Sequence, residues 1–162
     1  MTINNGFTDT AIPGVSSLTF PRGLVNYPVD FRIASETSGE LKLTNLTSPL
    51  DRPELVRIAY SVIPDVYKTS GINTSVQPPS TRGVGILCQV TNVYRDTTIA
   101  TAPIDLPVST HLVIRVPAHS SITASLIEAH IGRLISSLYD TGSTGTRRLE
   151  SLLRGSLQPA GL

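Results

Sequence analysis

The stretch from Leu106 to Leu153 constrains the fold most strongly, because it predicts one strand followed by two helices. Between Leu106 and Pro117, apolar residues such as Leu112 and Ile114 recur at every second position, which is the period of a strand with one buried face. Residues 120–140 then carry apolar side chains at helical spacing, and residues 146–154 repeat this pattern after a Gly-Ser-Thr-Gly break. The stripe of the first helix consists of Ile127, Ile131, Leu134, Ile135 and Leu138. These patterns indicate a packing unit without a catalytic signature.

Three segments ahead of this unit also show strand periodicity. They are residues 40–46, 54–63 and 85–97, in which apolar and polar side chains alternate. Residues 18–33 predict an edge hairpin or an irregular extension, because prolines interrupt their strand-like pieces. Strands followed by terminal helices indicate an α+β fold, with an antiparallel sheet of about five main strands plus an N-terminal hairpin and helices on one face.

The 162 residues make up one domain of ordinary size. Within a single domain over residues 1–162, we predict an N-terminal arm or first strand at 1–17, the sheet at 18–117 and the helices and tail at 118–162. Residues 64–83, rich in Pro, Ser and Thr, predict a long loop or a poorly paired connection.

The helix boundaries follow from local signals. The first helix is predicted to begin near Thr123, and Ser125 with Glu128 has the spacing of a capping box. Gly132 inside this helix suggests close approach of another backbone. Gly155 is predicted to end the second helix, which is too short to be stable alone and needs a neighbour.

The face of the sheet left open by the helices carries small polar groups interleaved with a few cations. Such a surface suits phosphates and unstacked bases better than an apolar ligand. Its outward residues are Arg57, Ala59, Ser61, Gln89, Thr91, Ser109, His111 and Arg115, with Arg95 on the same parity as Gln89.

Several function classes find no support in the sequence. A net charge of +1 does not by itself indicate nucleic-acid binding, so any RNA site is a local patch. No hydrolase, P-loop or dinucleotide motif occurs, although a hydrolase with dispersed residues stays formally open. The spacing of His111, His119 and His130 predicts no metal, and we expect no cofactor. Cys88 is predicted to be a small buried hydrophobe, and the lack of a leader or a membrane-length apolar run predicts a soluble cytosolic protein.

The last strand and the helices carry a resemblance to a known family. Leu106-Pro107-Val108 opens the strand, Val116-Pro117 closes it, the long helix ends in Leu134 to Tyr139, and a short Arg-rich helix precedes Pro159. In these features the sequence resembles the coat proteins of the single-stranded RNA phages, the levivirus group. The order of elements extends the resemblance over the whole chain.

The resemblance implies a homodimer in which two sheets join edge to edge and the helices of each chain pack on its partner. The dimer contacts would come from Ile127, Ile131, Leu134, Ile135, Leu138, Leu149 and Leu152. Dimers would assemble in the bacterial cytoplasm into an icosahedral virion shell around genomic single-stranded RNA. The inward sheet face would bind RNA, and in some members it also binds a hairpin that represses translation. The RNA-binding residues expected here are Arg57, Ser61, Gln89, Thr91, Arg95, Ser109, His111 and Arg115.

A simpler alternative is a cellular, oligomeric, β-rich RNA-binding module that forms no shell. Taken singly, the positions of Arg57 and Arg115 also agree with ordinary solvent-exposed cations, and that of His111 agrees with an ordinary surface histidine. The group Arg147-Arg148-Arg154 most simply solvates a helix face, with a role in RNA binding or between dimers as the alternative.

Overall fold

The computed structural model describes residues 25–98, 101–139 and 148–159. Its strands are β1 (Phe31–Thr37), β2 (Glu40–Asn45), β3 (Leu55–Ile63), β4 (Gly83–Asp96) and β5 (Ile104–Pro117). They form one antiparallel sheet in sequence order. The α-helices are α1 (Tyr27–Asp30), α2 (Ala124–Ser136) and α3 (Leu149–Leu153), and Thr74–Val76 forms a 3-10 turn between β3 and β4. The predicted α+β fold is confirmed, whereas the arm at 1–17 and residues 18–24 of the predicted hairpin lie outside the described residues.

The chain divides into two compact units. One unit contains the sheet as far as Ala118, and the other contains α2 and α3. The single domain and the placement of helices over one face of the sheet stay predictions. In the described ranges, no helix combines the length and apolar character that crossing a membrane requires.

The core of the sheet unit lies on its apolar face, where even-numbered residues of β3, β4 and β5 project. Residues directly opposite one another in an antiparallel sheet point to the same side, and Leu43 of β2 lies opposite Val56 of β3. These two side chains and Phe31 are buried, with Leu41 and Ile58 packed against them. Within the described residues this cluster is the whole buried hydrophobic core.

The segment before β1 is helical, although its sequence is typical of a strand. Tyr27–Asp30 forms one helical turn, and β1 begins at Phe31. Pro28 fits this turn because the first turn of a helix needs no N–H from that residue. The ring of Tyr27 lies 5.4 Å from that of Phe31, which ties the turn to the strand.

The structure contradicts one predicted helix cap and confirms another. The side chain of Thr123 accepts a hydrogen bond from the Leu126 N–H at 3.3 Å, so the predicted capping box of Ser125 and Glu128 is wrong. Ser125 lies inside α2 and cannot cap it. The other prediction is confirmed, because α3 ends before Gly155, whose φ of 84° suits glycine.

Candidate nucleic-acid interface

Strand pairing places all the predicted RNA-binding residues on one face of the sheet, which we call the polar face. Residues directly opposite one another on neighbouring strands form a rung of this face. Arg57, Gln89 and His111 form one rung across β3, β4 and β5. The other predicted residues occupy the rungs Thr91–Ser109, Ser61–Gly85–Arg115 and Arg95–Asp105.

Four of these residues form a connected hydrogen-bond network across β4 and β5. The Gln89 Nε2 donates to the hydroxyls of Thr91 and Ser109, both at 3.3 Å. Those hydroxyls lie 3.2 Å apart, and the Ser109 Oγ lies 3.0 Å from the His111 Nε2. Because each hydroxyl has one donor and two acceptor positions, the network retains capacity for a ligand.

Two charged residues of β2 extend the polar face beyond the sequence-predicted set. The Arg57 Nε donates to the Glu40 carboxylate at 2.6 Å, and the Lys42 Nζ lies 3.0 Å from the other oxygen of that carboxylate. Hydrogen bonds from Lys42 and from Arg57 hold the pKa of Glu40 below its ordinary value. The alternation of Lys42 with Leu41 and Leu43 was the sequence signal for this row.

Positive charge is concentrated on the polar face. In the described strands this face carries five cations against two carboxylates, whereas the whole chain has a net charge of only +1. The cations are Arg32, Lys42, Arg57, Arg95 and Arg115, and the carboxylates are Glu40 and Asp105. A face of this kind attracts polyanions.

Two of the predicted arginines differ in their availability to a ligand. Arg95 donates to both oxygens of Asp105, at 2.6 and 2.8 Å, and to Asp51 of the β2–β3 loop at 3.0 Å. The bidentate pair joins the ends of β4 and β5, and the contact with Asp51 ties the β2–β3 loop to them. Arg115 is exposed and makes no ion pair with any described residue, so its guanidinium is open to phosphate.

We expect Asp105→Asn to lower the melting temperature at neutral pH but not in strong acid. Donation by Arg95 holds the pKa of Asp105 below its ordinary value of 3.8. The pair therefore contributes stability above that value and loses it as pH falls through the lowered folded-state pKa. Thermal unfolding between pH 7 and pH 2 measures the difference from the unmodified chain.

The matched control is Asp65→Asn, because the Asp65 carboxylate accepts from the Tyr67 backbone N–H, a bond that asparagine can replace. If the melting temperature of the Asp105→Asn variant is lowered by the same amount at pH 2 as at pH 7, the Arg95–Asp105 pair is not the source of the lost stability.

Apolar side chains stay accessible on the opposite face and on the helices. Tyr60 is 53% exposed, and Val62, Tyr94, Leu106 and Val108 are exposed to a similar degree. Neither α2 nor α3 has a buried residue, and Leu134 is 56% exposed. The other predicted dimer residues are half-buried, namely Ile127, Ile131, Ile135, Leu138 and Leu152, except for Leu149, which is exposed. Soluble monomers rarely leave so much apolar surface uncovered.

Two further predicted positions are informative. Nothing described lies within 4 Å of a Cβ built on Gly132, so any close backbone at this glycine comes from outside the described protomer. Cys88 is half-buried on the apolar face, opposite Ile58 and Leu112. The described residues contain no group of three His, Cys, Asp or Glu arranged to hold a metal ion.

The whole fold corresponds to that of proteins that build bacteriophage particles. The protein of a virus-like particle of bacteriophage AVE015 has a TM-score of 0.89 and 25% identity, covering 100% of this chain and 99% of its own. That of bacteriophage GQ-112 has a TM-score of 0.77 at 15% identity, covering 99% of both chains, and shows the shared fold alone. No protein-family model and no curated protein matches the sequence.

The resemblance to phage coat proteins predicted from the sequence is therefore confirmed. The similarity supports the assignment of this chain as a capsid protein, with a structural, non-enzymatic role. It also implies self-assembly into oligomers and a place in the virion capsid.

Proposed function

We propose that the chain forms a homodimer that assembles into an icosahedral shell and encloses single-stranded RNA against its polar face. The observation that carries this proposal is the opposite chemistry of the two sheet faces. One face concentrates cations and hydroxyls, and the other leaves Tyr60 and its apolar neighbours accessible. One subunit thus presents one surface suited to contact with a second copy of the chain and another suited to RNA. Assembly in the cytoplasm of the bacterial host belongs to the same proposal.

Dimerisation accounts for the exposed apolar surface. The helices of a second copy would cover the apolar face, and β5, an edge strand of the sheet, would pair with its twin. Gly132 would then permit the close helix crossing that nothing described in the protomer provides.

RNA binding accounts for the polar face. Arg115 and Arg57 would neutralise phosphates, and the hydroxyls of Thr91 and Ser109 would contact sugars and base edges. Glu40 and Asp105 temper this attraction by pairing with Arg57 and Arg95. The hairpin-binding repressor role stays a prediction.

Expression of the chain alone tests the proposal. Electron microscopy should show closed particles, and nuclease treatment should leave RNA protected inside them. Small dimers under all conditions, without particles, would favour the cellular RNA-binding module.

We expect Glu40→Gln to strengthen RNA binding. Removing this carboxylate releases Arg57 and Lys42, which it now engages, for contact with phosphate. Each additional phosphate contact on single-stranded RNA steepens the salt dependence of log K by about 0.7. Titration of a fluorescent oligonucleotide at several salt concentrations measures the slope.

Glu36→Gln is the matched control for this change. Glu36 lies opposite Leu41, on the apolar side of the same β1–β2 hairpin, and its replacement changes the net charge equally. Equal gains from both variants would show that net charge, and not the Glu40 contacts, controls the affinity.

A further inference from the structure

A single arginine connects the two C-terminal helices by hydrogen bonds. The Arg148 Nη1 donates to the Ser137 carbonyl at 3.1 Å, and the Arg148 backbone N–H donates to the Leu138 carbonyl at 2.8 Å. The Nη2 of the same guanidinium donates to the Leu157 carbonyl at 2.6 Å. Arg148 therefore joins the end of α2, the start of α3 and the segment that follows α3. Apolar burial does not do this, because no residue of α2 or α3 is buried.

The end of α2 requires donors of this kind, because the last carbonyls of a helix have no partner within the helix. The carbonyls of residues 134–136 accept from the backbone N–H groups of residues 137–139. The next two carbonyls, those of Ser137 and Leu138, accept from Arg148. A positive charge at this end of a helix also interacts favourably with the helix dipole.

The same residue sets where α3 begins. Arg148 is the N-cap of α3, and its carbonyl accepts from the Leu152 N–H at 2.9 Å. Leu149 and Leu152 lie on this helix, and both belong to the predicted dimer contacts. Through Arg148, the position of these leucines is fixed relative to the end of α2.

The neighbouring arginine of α3 behaves differently. Arg154 pairs with Glu150 at 2.7 Å, and both side chains are more than three-quarters exposed. An exposed pair of this spacing contributes little to stability. Arg154 thus agrees with the predicted solvated helix face, whereas Arg148 is half-buried and donates to backbone carbonyls.

We propose that Arg148 is a positioning residue for dimerisation, an inference that rests on the proposed homodimer. It holds α2, α3 and the chain at Leu157 as one preformed unit, whose partner is a second copy of the chain. The planar guanidinium presents a rigid fork of donors, which serves two separate carbonyls at once. Association then costs less conformational freedom than it would with two independently moving helices.

The test measures the dimer dissociation constant of the full-length chain by sedimentation over a dilution series. Arg148→Gln should raise this constant about tenfold, because carbonyls lose a charged donor. Arg154→Gln removes the same charge from the exposed pair and is the matched control, with a change of less than about twofold. Arg148→Lys should lie between the two, because one ammonium keeps the charge but not the fork.

Amide hydrogen exchange separates the positioning role from the dimer itself. Arg148→Gln should speed exchange in residues 149–156 and leave the strands of the sheet unchanged. Two results would overturn the positioning role: equal effects of Arg148→Gln and Arg154→Gln, or faster exchange in α3 with an unchanged dissociation constant. An unmodified chain that stays monomeric at every concentration would instead contradict the proposed homodimer, and exchange in α3 would still decide whether Arg148 fixes the helices.

Discussion

Leu134→Asp is expected to abolish the soluble dimer and, with it, every particle. Leu134 lies at the centre of the α2 stripe and is 56% exposed in the protomer, so its proposed packing partner is a second copy. A carboxylate left unpaired in such an interface costs about 3 to 5 kcal/mol, which weakens association at least a hundredfold. Size-exclusion chromatography with light scattering and electron microscopy measure the loss.

Ala129→Asp provides the control for this change. Ala129 is exposed and lies on the opposite side of α2 from the stripe, so its replacement adds the same charge to the same helix. This variant should form dimers and particles. A stable, folded monomer carrying Leu134→Asp would refute the interlocked dimer, because it would show that the protomer needs no partner.

Arg57→Glu combined with Arg115→Glu is expected to empty the particles of most of their RNA while leaving dimers intact. Both residues lie on the polar face, and neither takes part in the buried core. Losing two phosphate contacts should reduce the salt slope for single-stranded RNA by about 1.4, and the introduced carboxylates add repulsion. The ratio of absorbance at 260 and 280 nm, with nuclease protection, measures the RNA content.

The same change in net charge can be made away from the polar face. Lys68 lies in the β3–β4 loop and Arg154 follows α3, where it pairs with Glu150. Replacing these two residues by glutamate should leave RNA content close to that of the unmodified particle. If both double variants lose RNA equally, the overall charge governs packaging and the polar face has no special role.

The sequence was sufficient to predict which residues share a face of the sheet. Alternation along β3 separated Arg57 and Ser61 from Val56, and the structure keeps this division because side chains of a strand alternate whatever the strand pairs with. The parity of β4 followed in the same way. The period of two therefore revealed the polar face without any knowledge of tertiary structure.

The sequence could not predict the contacts that depend on register. Glu40 reaches Arg57 because β2 and β3 pair with Lys42 opposite Arg57, and nothing within either strand specifies this offset.

Local competition between signals explains the errors at the helix termini. The segment around Pro28 has strand-like composition, but a fixed proline φ also suits a helical turn, and packing of Tyr27 on Phe31 favours the turn. At α2, two hydroxyl residues stood near the start, and Thr123 is the one with extended backbone geometry.

The small core has a consequence for how the protein folds. Among the described hydrophobic side chains, only Phe31, Leu43 and Val56 are buried, and many apolar side chains of the sheet keep part of their surface accessible. In the proposed dimer a second copy would cover that surface, so tertiary structure and subunit pairing would become a single equilibrium governed by mass action. Newly made chains would then stay vulnerable to proteases until their concentration rises, and synthesis at high local density would become part of the folding mechanism.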